Sequence, residues 1–347
     1  MADRNVTRSR GPRRGGPPRC YGKQGAPGRS AGTGGPARRG SAMPPLWEAD
    51  VTLTPEGAAR LVERQFPELA PARLEPLGTG WDNTAYTVNG HWVFRFPRRK
   101  IARGLLENEA RLLPLLAPHL PLRIPEPVWL GHPEGDYPYP FAGYALLPGR
   151  TACAVAWTLE ERLSNAATLG RFLAALHGIP VDDETLTRGP GDELARADLR
   201  KRAPMILERL EKLETDGADV NGAAVRTWVS RLVDTPPWTR RACWVHGDLY
   251  ARHLLVDEHH AVTGMLDWGD VHLGDPAIDL TLAFSFLPPE ARDVFREAYG
   301  DIDEATWDRA RFRAFHYGVA LLQYGRSEGD EDIAQVGRDA LRYGAAV

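Results

Sequence analysis

The sequence predicts an α+β protein whose strands come first and whose helices come later. Short apolar runs at 74–96 and 141–147, bounded by Gly- and Pro-containing turns, read as strands. Beyond residue 158, apolar residues recur at helical spacing, as in Leu159, Leu163, Ala166, Leu169, Leu173 and Leu176. The 347 residues, 43% of them hydrophobic, are enough for two lobes with cores of their own. The lobes are expected at 46–147 and 148–347.

Residues 1–45 hold ten Lys/Arg against one acid, Asp3, together with ten Gly and seven Pro. So few apolar side chains cannot offset the entropy of ordering, and a disordered tail is expected, with Met43 as an alternative start. The tail carries +9 and the whole chain −3, which puts −12 on residues 46–347. An acidic body argues against a nucleic-acid groove and suits a cationic partner. Cys20, Cys153 and Cys243 show no paired spacing, so a reducing, cytoplasmic setting is expected. No run approaches the roughly 18–20 apolar residues that span a bilayer, so no membrane partner is expected. A monomer is expected.

Thr54-Pro55 opens a packing helix that carries Leu61, Val62 and Phe66. Residues 74–96 then read as strands around the loop Gly78-Thr79-Gly80-Trp81-Asp82-Asn83-Thr84. This is neither a full GxGxxG, since Asn83 stands at the third Gly position, nor a Walker motif. In the strand 91–96, alternation puts Val93 and Arg95 on one face and Phe94 and Phe96 on the other. Glu109 follows fourteen residues after Arg95, in a helical run at 105–116. Strands are expected at 128–131 and 141–147. The helix at 159–177 stops at Gly178. Helical stretches are expected at 193–214, interrupted at Pro204, and at 223–233.

The stretch 243–276 carries the chemistry. An apolar strand leads into His246, Gly247 and Asp248 on a tight turn. Apolar runs at 254–256 and 262–266 flank a polar turn, and the second ends at Asp267. A hairpin here would bring Asp248 and Asp267 to the same edge of one small sheet. Two such carboxylates suit phosphoryl transfer: one orients and deprotonates an attacking hydroxyl, and the other holds a divalent cation on nucleotide phosphates. The spacing of His246, His253, His259 and His260 matches no standard zinc pattern. Helices are expected at 280–286, 288–299 and 304–324, then an acidic loop with Glu328, Asp330, Glu331 and Asp332.

His246-Gly247-Asp248, four residues, His253, and later Leu266-Asp267-Trp268 resembles the catalytic and metal-binding loops of the aminoglycoside phosphotransferases. His253 stands where that family usually carries Asn. The subgroups acting on the 2″-hydroxyl of aminoglycosides and the 2′-hydroxyl of macrolides look similar there, and share Asp-Pro-x-x-Asp, here Asp275-Pro276-Ala277-Ile278-Asp279. The resemblance covers roughly 70–340. It implies a protein-kinase-like fold with a small antiparallel-sheet lobe and a mostly helical lobe. It implies ATP or GTP as donor, Mg²⁺ as cofactor and a small-molecule hydroxyl as acceptor. It also implies site roles: Asp248 as catalytic base, Asp267 and His253 toward metal, and Gly78, Gly80, Asn83 and Thr84 over the nucleotide. Arg95 takes the place of the family's phosphate-binding Lys and pairs with Glu109. Backbone groups of Ala145 to Leu147 would meet the base, and His246 would brace the turn. Asp270, Asp275 and the late acids are candidates for a cationic acceptor. A metabolite kinase remains open, as does an impaired nucleotide-binding pseudokinase, the latter because of Arg95 and His253.

Overall fold

The computed structural model describes residues 49–80 and 82–346. The tail expected over 1–45, like the loop residue Trp81, lies outside the described residues. The described chain reaches α1 (Pro55–Gln65) through Thr54, whose hydroxyl accepts from the Gly57 N–H at 3.1 Å. Strands β1 (Leu74–Thr79), β2 (Asn83–Val88) and β3 (Trp92–Pro97) follow. Asn89 and Gly90, with φ of 53° and 71°, make the left-handed turn that suits the twist of a hairpin. Helix α2 (Lys100–Leu116), then β4 (Pro127–Gly131) and β5 (Phe141–Ala145), complete an antiparallel sheet in the order β1-β2-β3-β5-β4. Alternation in β3 decides what each face does. Phe94 and Phe96 pack with Phe141, Leu61 and Val62 in an aromatic core under α1. Val93 and Arg95 turn to the other face, where a pocket opens.

The segment 78–84 is more regular than an open loop. Gly78 pairs with Ala85 and Thr79 with Thr84, and the Gly80 N–H donates to the Asn83 carbonyl at 2.9 Å. The ladder therefore runs almost to the tip.

The helical lobe holds β6 (Arg150–Thr151), α3 (Leu159–His177), α4 (Asp183–Arg188), α5 (Leu199–Thr215) and α6 (Gly222–Leu232). Then come β7 (Cys243–Val245), β8 (Leu254–Val256), β9 (Val262–Met265) and β10 (His272–Gly274). Helices α7 (Ala277–Leu280), α8 (Leu282–Ser285), α9 (Arg292–Tyr299), α10 (Glu304–Glu328) and α11 (Glu331–Ala345) close the lobe. A capping box between Thr158 and Glu161 starts α3, and Leu169, Leu173 and Leu176 carry its buried face. Gly170 lets α3 and α9 touch, since a Cβ there would lie 2.6 Å from the Phe295 carbonyl.

Four sequence expectations change. Pro204 does not interrupt its helix: it is exposed, so the carbonyl that loses its partner stays near water, while Ile206 and Leu210 bury the opposite side. That helix starts at Leu199, not at 193, because the Asp198 carboxylate caps the Lys201 N–H at 2.9 Å. The acidic stretch 328–332 is a corner between helices. Gly329 (φ 67°) ends α10, and Asp330 caps the Ile333 N–H at 3.1 Å to open α11. Finally, β7 pairs with β10, whereas β8 pairs with β6 and β9. Asp248 and Asp267 therefore leave two different small sheets and are not joined by one hairpin.

Candidate active site

The turn after β7 is held from below. Gly247 has φ 89°, and a Cβ on it would lie 2.3 Å from the Asp270 carbonyl, so the sharp turn requires glycine. Asp279 of α7 is fully buried. Its carboxylate accepts from the N–H of His246 at 2.6 Å and of Gly247 at 3.0 Å. His177 at the end of α3 sets its Nε2 3.3 Å from the same carboxylate, and its Nδ1 lies 2.8 Å from the Tyr299 hydroxyl. Burial works to raise the Asp279 carboxyl, but the bonds and charge of His177 and the N–H of His246 hold it below its ordinary value.

Two imidazoles join the turn to Asp267. His246 is buried, and its Nε2 donates to the Leu266 carbonyl at 2.9 Å while Nδ1 accepts from the Asp248 N–H at 3.4 Å. Burial keeps this ring neutral by pulling its pKa down. The Nδ1 of His253 lies 2.7 Å from the Asp248 carbonyl; a carbonyl only accepts, so the proton sits on Nδ1. Its Nε2 is then left facing Asp267 Oδ2 at 3.5 Å. Asp267 itself has φ 60°, an uncommon value for a residue with a side chain and one that concentrates at functional sites.

Arg95 lies on the other side of Asp267. One guanidinium nitrogen reaches both Glu109 oxygens at 2.7 and 2.8 Å, and the other reaches Asp267 Oδ1 at 3.1 Å. Glu109 is buried, and desolvation raises its carboxyl to about 7 against the pull of Arg95. Burial raises Asp267 as well, yet Arg95, followed by His253 and His246, brings it below its ordinary value. A narrow pocket opens beside this group, lined by Leu77, Val93, Tyr144, Leu255 and Leu266, and by 145–147. The Leu146 N–H is spent on the His91 carbonyl at 2.8 Å. Backbone alternation in β5 turns the groups of Ala145 the other way, past β4, which pairs no further along β5 than Tyr144. At the hairpin tip, Asp82 pairs with Arg99 at 3.2 Å and lies near enough to Asp267 for that charge to raise its own carboxyl, after burial.

The structure thus gathers Asp248, His253, Asp267, Arg95, Glu109, Ala145 and Leu147 along one cleft. Gly78, Gly80, Asn83 and Thr84 form the β1–β2 hairpin above it, with Leu77 as the lining residue from β1. The candidate acceptor acids divide. Asp275 is a correction: it is buried in an ion pair with Arg309 at 2.6 Å and caps the Ala277 N–H at 2.9 Å. Asp270 stays part-exposed and binds Arg196, which also holds Asp192. Burial and then the Asp248 charge raise the Asp270 carboxyl to about 6. Asp330 binds Arg252, four residues after Asp248, and Glu331 binds Arg338.

Sequence reasoning missed Tyr317 and Arg313 of α10. The Tyr317 hydroxyl lies 2.6 Å from Asp248 Oδ1, and Arg313 reaches the Gly247 carbonyl at 3.3 Å. No local pattern separates them from the other polar residues of that helix.

As for metal, the donors fit an ion held chiefly by nucleotide phosphates. Asp267 and the His253 Nε2 converge, and octahedral Mg²⁺ takes few protein ligands beside phosphate and water. Among the described residues, no three His, Cys, Asp or Glu side chains form a ready metal cage.

A five-stranded antiparallel lobe, a helical lobe, and an Arg–Glu pair with two loop carboxylates between them define a kinase-like phosphotransferase of small molecules. Residues 73–315 match the model of the phosphotransferase enzyme family, and the chain belongs to that family. It is 26% identical over 260 residues to the viomycin phosphotransferase of Streptomyces vinaceus, across 74% of this chain and 88% of that one. It is similar to the solved GDP and kanamycin complex of APH(2")-IIia, with 26% identity and a TM-score of 0.60 over 83% of this chain and 97% of the other. The macrolide 2'-phosphotransferase MphH of Brachybacterium faecium gives 26% identity and a TM-score of 0.54 over 82% and 97%. Among the described residues, no helix is long and apolar enough to cross a membrane.

Proposed function

We propose that this phosphotransferase moves the γ-phosphoryl group of ATP or GTP to a hydroxyl of an aminoglycoside or macrolide antibiotic. The observation that carries the reading is Arg95, fixed between buried Glu109 and Asp267 at the edge of an apolar pocket. A nucleotide base would lie against the apolar lining of this pocket, with the backbone of Ala145 and Leu147 as its hydrogen-bonding edge. Arg95 then meets the phosphates. Its planar fork replaces a compact ammonium and can hold Glu109 and a phosphate oxygen together. Asp267 and His253 would hold Mg²⁺, which supplies charge neutralisation on the phosphates when bound. Asp248 orients the acceptor hydroxyl and takes its proton, chiefly by placement as the transition state loosens. The relatives named above, one of them solved with GDP and kanamycin, support this acceptor class.

The test is nucleotide consumption with Mg²⁺ and ATP or GTP, against a panel of aminoglycosides, macrolides and hydroxylated metabolites. One antibiotic should stimulate turnover. Asp248→Ala should keep nucleotide affinity and lose ~10²–10⁴-fold in kcat, and chelation of Mg²⁺ should abolish turnover. Wild-type-like turnover in Asp248→Ala would sink the assignment. Stimulation by a metabolite alone would replace the antibiotic with a housekeeping acceptor.

A further inference from the structure

Arg313 and Tyr317 stand one turn apart on α10, so they share a face. Both are buried, at 6% and 7% exposure, and both turn toward the segment after β7. Arg313 Nη2 lies 3.3 Å from the Gly247 carbonyl and 3.2 Å from the Tyr317 hydroxyl, and that hydroxyl lies 2.6 Å from Asp248 Oδ1. The direction of this chain is determined by chemistry. A guanidinium only donates and a carboxylate only accepts. The hydroxyl must therefore accept from Arg313 and commit its single proton to Asp248. Burial and the Asp248 charge push the Tyr317 pKa well above its ordinary value, so the proton stays on the phenol. The ring of Tyr250 lies 5.9 Å from that of Tyr317.

We propose that Tyr317, oriented by Arg313, is a positioning residue that occupies Asp248 Oδ1 and fixes the carboxylate rotamer, so that Oδ2 is presented to the acceptor hydroxyl. Helix α10 thereby holds the turn at two points one residue apart, the Gly247 carbonyl and the Asp248 side chain. The inference rests on Asp248 being the base of the proposed reaction. A small misplacement of a reacting group costs rate steeply, which is why one phenol proton can matter.

Tyr317→Phe removes that proton and little volume. Its kcat for the best acceptor of the panel should fall about tenfold to a hundredfold, with KM for nucleotide and acceptor within about twofold and the thermal midpoint little changed. In the Asp248→Ala background the same substitution should have no further effect, because the two groups act as one unit. A merely structural role would slow both backgrounds alike, and that result, or a wild-type kcat in Tyr317→Phe, overturns the proposal. A crystal structure of the variant reads the same point without any acceptor. The Asp248 carboxylate should leave its wild-type rotamer or divide between two, and a single unmoved rotamer overturns it. A wild-type chain with no acceptor-dependent turnover refutes the functional reading instead, and the structural readout then judges Tyr317 by itself.

Discussion

Replacing Asp279 by Asn tests how the helical lobe holds the turn that carries Asp248. The wild-type carboxylate is fully buried and accepts three donors: the N–H of His246 at 2.6 Å, the N–H of Gly247 at 3.0 Å and His177 Nε2 at 3.3 Å. The amide keeps one oxygen and puts an NH₂ group against an N–H that cannot accept. One charge-assisted bond, worth about 1.5–3 kcal/mol, is lost, and a buried donor is left unpaired at about 1–3 kcal/mol. A loss of ~3 kcal/mol is expected in urea unfolding. The nucleotide pocket is lined from the sheet lobe, from β8 and from Leu266 and Asp267 just after β9, so nucleotide affinity should hold while kcat falls ten- to a hundredfold. The sign with pH is determined by the lowered pKa of Asp279. The folded carboxylate stays ionised where the unfolded one, near 3.8, begins to protonate. Its stabilisation is therefore full above about pH 5 and lost as pH falls through the folded value, so the gap between wild type and variant should narrow only in acid. A loss below about 1 kcal/mol, or a shift in nucleotide affinity with kcat intact, would refute the role given to this carboxylate.

Asp275→Asn separates a structural acid from an acceptor ligand: it breaks a buried pair with Arg309 and should cost about 3–5 kcal/mol, with acceptor KM unchanged at a permissive temperature. A raised KM with normal urea stability would return Asp275 to the acceptor site. Asp270 should make stability fall as pH rises from about 4 to about 6, because the folded carboxyl keeps its proton to about 6 and the unfolded one only to near 3.8. The side chain is 35% exposed, which limits the effect to ~1 kcal/mol. Urea titrations across that range should show the slope in wild type and its absence in Asp270→Asn; an equal slope in both would assign it elsewhere.

The parts of the site that were legible in the sequence are those carried by local patterns. Alternation in β3 alone puts Arg95 opposite the Phe94 and Phe96 core face, and the structure keeps that assignment. Thr54, the run from Leu159 and the turn His246-Gly247-Asp248 likewise announce themselves through caps, period and glycine. What was not legible depends on partners far along the chain. Which strand pairs with β7 is decided by β10, which starts 29 positions after β7 does, and no hydrophobic pattern in strands of three residues specifies that choice. Pro204 misleads because the rule against helix-interior proline assumes that the freed carbonyl matters, and at an exposed second turn it does not. Helix α11 was hidden behind four acids that resemble a loop, although Asp330 is its cap and Glu331 and Asp332 are its favourable first turn.

Charge shows most clearly where a sequence inventory and a folded site part company. The −12 on residues 46–347 suggested open carboxylates waiting for a cationic acceptor. In the fold, four of these six candidate acids are already engaged, Asp275 by Arg309, Asp270 by Arg196, Asp330 by Arg252 and Glu331 by Arg338, while Glu328 and Asp332 are exposed. Near Asp248, the terminal nitrogens of Arg313 donate to the Arg196 carbonyl, the Gly247 carbonyl and the Tyr317 hydroxyl. The four engaged acids thus form a lattice of paired charges. Such a lattice stabilises geometry more than it attracts cations, because each carboxylate's field is largely cancelled by a guanidinium in contact with it. An amine on the acceptor gains little from Asp270 unless it takes over the bond that Arg196 now makes. If Asp270 meets an aminated acceptor of the proposed reaction, discrimination there would turn on whether the substrate amine can replace Arg196 at this half-buried carboxylate. That is a question of fit at one place, and net charge does not answer it.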